Sequence, residues 1–193
     1  VWYQAPHYPE QPSPEYREMY DDISPRPRKN YQEVDPYIWT WSPKSPRPIE
    51  NCPDWQRYGN NIDEYLKCYN AMVTQIDANV GRILARLEEL GIAEDTIIVF
   101  TSDHGDMAGS HGMKGKGEPY EESAGIPLIV KVPGGPQGKK SDALITGIDH
   151  FPTMLSWAGL EPPDSLSGRN YAPLLQEEEF ESDGPIFAEM KNW

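Results

Sequence analysis

The spacing of apolar residues changes abruptly at Gly91, and that change limits the fold more than any other feature. Before it, Tyr65, Tyr69, Met72, Ile76, Val80, Ile83, Leu87 and Leu90 recur every three or four residues, as one face of a helix does. The pattern predicts a helix from about Trp55 to Leu90, with Gly91 as its C-cap. After it, residues 96–101 (Thr-Ile-Ile-Val-Phe-Thr) form a continuous apolar, β-branched run, as expected of a strand buried on both faces. Residues 126–132 form a second buried strand, ended by Pro133-Gly134-Gly135, and residues 143–146 are expected as a third, shorter one. Residues 148–158 then read as an amphipathic helix closed by Gly159. Helix alternating with buried strand predicts an α/β sandwich, a mostly parallel sheet between helices.

The first 55 residues are of another kind. They hold 11 of the 20 prolines, with many Tyr and Trp. Prolines that dense remove backbone donors and fix φ, which excludes long helices and central strands. Residues 1–55 are therefore read as an ordered arm wrapping a neighbouring surface, and residues 56–193 as the body that holds the core. Seventeen basic against 31 acidic residues leave a net charge of −14. A chain so acidic lacks the basic footprint that binding nucleic acid requires. No apolar run approaches the roughly 20 residues needed to span a bilayer. The two cysteines, Cys52 and Cys68, can be paired or free, and two do not identify a redox compartment.

Ligands of α/β sheets sit at the carboxyl ends of strands. Here the first buried run is followed by Ser102-Asp103-His104-Gly105-Asp106. A carboxylate and an imidazole at a strand's end make half a site for a divalent cation. Asp103 as a turn cap and His104 as an ordinary hydrogen-bonding residue fit the same pattern. Next comes Gly109-Ser110-His111-Gly112-Met113-Lys114-Gly115-Lys116-Gly117. Glycines let backbone approach a ligand closely, and lysine offers positive charge to a tetrahedral oxyanion. A surface loop with solvated lysines has the same composition. Near the start, His7 lies between Pro6 and Pro9 in a stiff, extended segment.

Five stretches, in order, resemble the sulfatase family of the alkaline-phosphatase superfamily. They are Ala5-Pro6-His7-Tyr8-Pro9; residues 69–90 with Ile76-Asp77 and Val80-Gly81-Arg82-Ile83-Leu84; residues 95–106; residues 111–127, including Lys116 and Tyr120-Glu121-Glu122-Ser123; and residues 148–160. The resemblance implies an alkaline-phosphatase-like sandwich, incomplete here, and a sulfuric ester hydrolase. It makes Asp103 and His104 metal ligands, the metal usually calcium. Lys116 would contact the sulfate, and His7 would hydrogen-bond the sulfate or leaving-group oxygen as a candidate general acid. His111 and Lys114 are weaker substrate-binding candidates. The substrate would be a small-molecule or carbohydrate sulfate ester, and a periplasmic or secreted location is favoured.

Family enzymes use a formylglycine made from the first residue of C/S-x-P-x-R. Neither Cys52-Pro53-Asp54-Trp55-Gln56 nor Cys68-Tyr69-Asn70-Ala71-Met72 has that pattern. Asp21-Asp22 follows Glu18-Met19-Tyr20 rather than an apolar strand, and reads as a solvated pair. The nucleophile and the remaining ligands are expected in a missing N-terminal part of the same domain, this partner completing the enzyme. Without it the chain is expected to be inactive. Two rivals stand beside this reading. A zinc- or manganese-dependent phosphodiesterase or phosphonate hydrolase of the same superfamily would suit the His104 imidazole better than calcium does. A non-catalytic pseudoenzyme or interaction module would use the aromatic arm as an interface.

Overall fold

A computed structural model describes residues 1–7, 10–32, 61–176, 180 and 186. The arm from 33 to 55, with Cys52, Trp39, Trp41 and Trp55, lies outside the described residues, as does most of the acidic stretch 177–183. Among the described residues six α-helices and β-strands run in chain order: α1 (Pro14–Glu18), α2 (Ile62–Glu89), β1 (Ile98–Thr101), α3 (Glu121–Ala124), β2 (Leu128–Lys131) and α4 (His150–Trp157). They fall into two units, Val1–Ala93 with His104–Pro127, and Glu94–Asp103 with Leu128–Trp193.

In the first unit α2 dominates. Asn61 starts it, its side chain accepting from the Glu64 N–H at 3.1 Å, a usual N-cap bond. It ends at Glu89 with Leu90 as C-cap, and Gly91 just beyond takes φ 68°. The N–H groups of Ile92 and Gly91 bond back to Leu87 O and Glu88 O, at 3.1 and 2.9 Å. That pair satisfies two end carbonyls and needs a left-handed residue where glycine stands. Only the first half of the helix is buried, through Tyr65, Cys68, Ala71 and Met72. The arm covers it. Arg17 in α1 grips both carboxylate oxygens of Glu64, at 3.0 and 2.6 Å, holding the Glu64 carboxyl below its usual range. Tyr20 OH meets Thr74 Oγ1 at 2.7 Å, and Ser24 donates to Asp63 at 3.0 Å. Asp21 and Asp22 are both exposed. Cys68 is a free, buried thiol whose pKa burial pushes up to about 11.

The second unit corrects three expectations. β1 and β2 pair antiparallel, with Ile98 opposite Lys131 and Thr101 opposite Leu128. Residues 102–127 between them carry only the four-residue α3 and no crossover helix of the kind parallel neighbours require. An antiparallel pair is common at the margin of an otherwise parallel sheet. Nor are the strands buried on both faces, since Phe100 is 38% and Ile129 65% exposed. Residues 143–146 form no strand. Their polar groups are already committed: Thr146 N–H bonds to Asp149 Oδ2 at 2.8 Å, and Leu144 O accepts from Arg169 at 2.6 Å. Asp149 and Thr146 form a capping box for the turn Gly147–Asp149 that leads into α4. α4 is anchored by Thr153, whose hydroxyl bridges Asp149 O and Tyr171 N at 2.7 and 3.0 Å.

Candidate functional site

β1 stops at Thr101, which frees the backbone that follows to turn. Asp103 closes the second unit and is exposed; His104 opens the first. The turn at Gly105 is possible only for glycine. A Cβ there would lie 2.1 Å from Glu122 O, so the backbone of α3 packs directly on it. The Gly105 N–H donates to Ser123 O at 2.8 Å.

His104 has both ring nitrogens engaged. Nδ1 is 2.7 Å from Gly105 O, and a carbonyl can only accept, so Nδ1 carries the hydrogen. Nε2 is 2.7 Å from Lys116 Nζ; an ammonium can only donate, so Nε2 offers its lone pair. An imidazole whose Nδ1–H is tied to a backbone carbonyl is the arrangement in which Nε2 coordinates a metal. His104 therefore fits the ligand role, and Lys116 now places its positive charge at that lone pair. Among the described residues no three His, Cys, Asp or Glu side chains come together as a metal site; Asp103 and His104 are two donors.

The loop between these residues is pinned at its base. Met107 N–H bonds to Gly115 O at 2.7 Å and Gly109 N–H to Met113 O at 2.8 Å, with Met107 and Ser110 fully buried. The arm holds its other side. Arg28 donates to Asp106 O and Met107 O, at 2.9 and 3.1 Å. Gln32 N–H bonds to Gly109 O and His111 N–H to Asn30 O, both at 2.9 Å, flanking a Tyr31–Ser110 bridge. The Tyr31 ring lies where a Gly109 Cβ would be, 2.5 Å away.

The remaining sequence candidates take other places. His111 adopts φ 56° and stacks on Tyr120 at 4.2 Å. Its Nε2 is 3.0 Å from Asn30 Nδ2 and 3.8 Å from Glu122 Oε1, so it builds the loop's outer wall. Lys114 partly offsets the burial of Glu10. His7 is exposed in a turn closed by its N–H on Gln4 O at 2.9 Å. Sequence reasoning missed Arg28, Asn30, Ser123 and Glu10. Glu10 is 5% exposed, and its pKa is pushed up to about 7, by burial first and then by the Asp106 charge. No local signal marks it beyond its place just after Pro9.

The family model described as Sulfatase matches residues 1–160. The chain belongs to the sulfatase family. An N-acetylglucosamine-6-O-sulfatase from Bacteroides thetaiotaomicron is 40% identical over 116 residues, covering 60% of this chain and 21% of the relative. An arylsulfatase from Clostridium perfringens is 33% identical over 180 residues, covering 89% and 36%. A structure solved in complex with its substrate D-glucosamine-2-N,6-O-disulfate superposes with a TM-score of 0.74 at 25% identity, over 91% of this chain and 47% of that one. A phosphonate monoester hydrolase from Silicibacter pomeroyi superposes at 0.64 with 35% identity, over 70% and 27%. The sulfatase fold is thus the alkaline-phosphatase-like α/β sandwich, and this chain spans 21% and 36% of the length of those two curated relatives.

Proposed function

We propose that this chain supplies part of the active site of a sulfatase, an enzyme that hydrolyses a sulfate ester. The contact between His104 Nε2 and Lys116 Nζ, 2.7 Å long, carries the reading. It joins the two residues that the family resemblance assigns to metal and sulfate, twelve positions apart. The family resemblance assigns Asp103 and His104 to a divalent cation, which when bound supplies Lewis-acid polarisation of the ester oxygens. The nucleophile, a formylglycine in this family, is proposed to come from residues beyond these 193.

The chain's own residues do the rest. The His104 lone pair can serve Lys116 or a metal but not both. Occupation of His104 would turn the Lys116 ammonium to the sulfate, where it offsets charge as the alcohol leaves. His7, exposed in its turn, is the proposed proton donor to the leaving oxygen. Calcium is the proposed ion, with zinc or manganese the alternative that an imidazole ligand suits. A sulfated carbohydrate is the proposed substrate, supported by the glucosamine disulfate complex and the N-acetylglucosamine sulfatase relative. A location outside the cytoplasm is proposed from an extracellular sulfatase of Drosophila melanogaster, 29% identical over 172 residues. No described helix is long and apolar enough to cross a membrane.

A second reading, hydrolysis of a phosphonate monoester, is favoured by the Silicibacter structure. One experiment separates the two. The coding sequence is extended upstream and the product assayed on an aryl sulfate, glucosamine 6-sulfate and a phenylphosphonate monoester. The expected result is sulfate-ester hydrolysis that falls on the order of 100-fold in Lys116→Ala. Preferential phosphonate hydrolysis would move the chain to the second reading, and an unaffected Lys116→Ala would remove Lys116 from the chemistry.

A further inference from the structure

We propose that Ser123 is a positioning residue that sets the contact between Lys116 and His104; this rests on the sulfatase reading only in taking that pair as the working one. Ser123 is 4% exposed in α3. Its carbonyl accepts from Gly105 N–H at 2.8 Å, one residue after His104. Its hydroxyl accepts from Gly117 N–H at 2.9 Å, one residue after Lys116, and from Glu118 N–H at 3.4 Å. A single buried residue is therefore hydrogen-bonded to the neighbour of each member of the pair.

The connecting loop contributes the Met107 N–H bond to Gly115 O at 2.7 Å, and α3 holds the residue that follows each member of the pair. Gly109, Gly112, Gly115 and Gly117 all take positive φ, in a backbone region that glycine enters without steric resistance. Lysine reaches its target on four flexible carbons. α3 supplies the fixed point. Its backbone lies so close to Gly105 that no side chain fits between them, and its own turn is closed by Ser123 N–H and Ala124 N–H on Tyr120 O, at 2.9 and 2.8 Å. The hydroxyl then ties the Lys116 side of the loop to the same four residues. Serine is suited to it: a short side chain with two acceptor lone pairs, able to serve two N–H groups at once.

The test uses the full 193-residue chain, labelled with nitrogen-15, and the His104 imidazole resonances at one fixed pH. His104→Gln assigns them, and Lys116→Ala shows where Nε2 resonates without the contact. Ser123→Ala is expected to move Nε2 to the Lys116→Ala position with helical circular dichroism unchanged, and Ser123→Thr, which keeps the hydroxyl, to return it. If Ser123→Ala does not fold, Ser123→Cys keeps the volume with a much weaker acceptor and is expected to move Nε2 part of the way. A folded Ala or Cys variant with the wild-type resonance overturns the proposal, as does a His104 signal indifferent to Lys116→Ala. In the upstream-extended enzyme, Ser123→Ala is expected to lower kcat about 10- to 100-fold with little change in KM. A moved resonance together with hydrolysis indifferent to Lys116→Ala would sink the sulfatase role of the pair and leave the positioning intact.

Discussion

The loop of residues 104–117 and the β1–β2 ladder invert the usual relation between regularity and burial. The loop has no helix or strand, yet Met107 and Ser110 are fully buried and its backbone groups find partners on the arm, on α3 and within itself. The ladder is regular, yet Phe100 and Ile129 stand 38% and 65% exposed. A backbone position is held by the number of hydrogen bonds and close contacts that constrain it, whatever its dihedral angles. The residues proposed for the chemistry, His104 and Lys116, lie on the irregular segment, where turns and left-handed residues can aim side chains that a strand would alternate between faces.

If that contrast is sound, substitutions should cost far more in the loop than in the ladder. The largest effect is expected at Gly105. Gly105→Ala puts a methyl 2.1 Å from the Glu122 carbonyl, and denaturant unfolding of the chain should show a loss of about 3 kcal/mol or more. Glu10 comes next, through pH. Its folded pKa, about 7, stands above the ordinary 4.5, so the folded state binds more protons than the unfolded one between those values. Stability must then fall as pH rises from 4.5 to 7 and level off above, by about 3 kcal/mol in all. Glu10→Gln should remove that slope and be the more stable protein at pH 8. Unfolding curves at pH 4.5, 6 and 8 decide it, and parallel curves for the two proteins would discard the buried, protonated Glu10.

Arg28→Ala should cost about 1 kcal/mol, since its donors are partly solvated. Amide exchange should rise at Met107 and Ser110 and stay unchanged in β1; a uniform rise would mean that the arm does not hold the loop selectively. Ile129→Thr, on the exposed face of β2, should stay within about 0.5 kcal/mol of the parent. A loss of several kcal/mol there would show Ile129 to be buried in the folded protein and would close the contrast.

Much of the local structure was legible because it depends on neighbours in sequence. The stripe from Tyr65 to Leu90 and the glycine at 91 specify a helix and its end, and the end bonds are those expected of that glycine. The strand end at Thr101 was likewise legible. How much of the stripe is buried was not. Tyr65 and Met72 are covered while Ile83 and Leu90 are exposed, because periodicity says which side of a helix is apolar and nothing about what lies against it. Residues 143–146 look like a strand by composition, but Asp149 and Arg169 take their polar groups, and Arg169 arrives from far along the chain.

The candidate site divides in the same way. The sequence alone determined the chemical types and their order, with His7, Asp103, His104 and Lys116 at family-like spacing, since the identity of a ligand or charge is written in the residue itself. Only the tertiary structure decided that the His104 lone pair faces Lys116, that His111 stacks on Tyr120, and that Ser123 and Arg28 hold the loop from two sides. Those choices depend on hydrogen bonds between residues up to about eighty positions apart, for which neither spacing nor composition carries a signal.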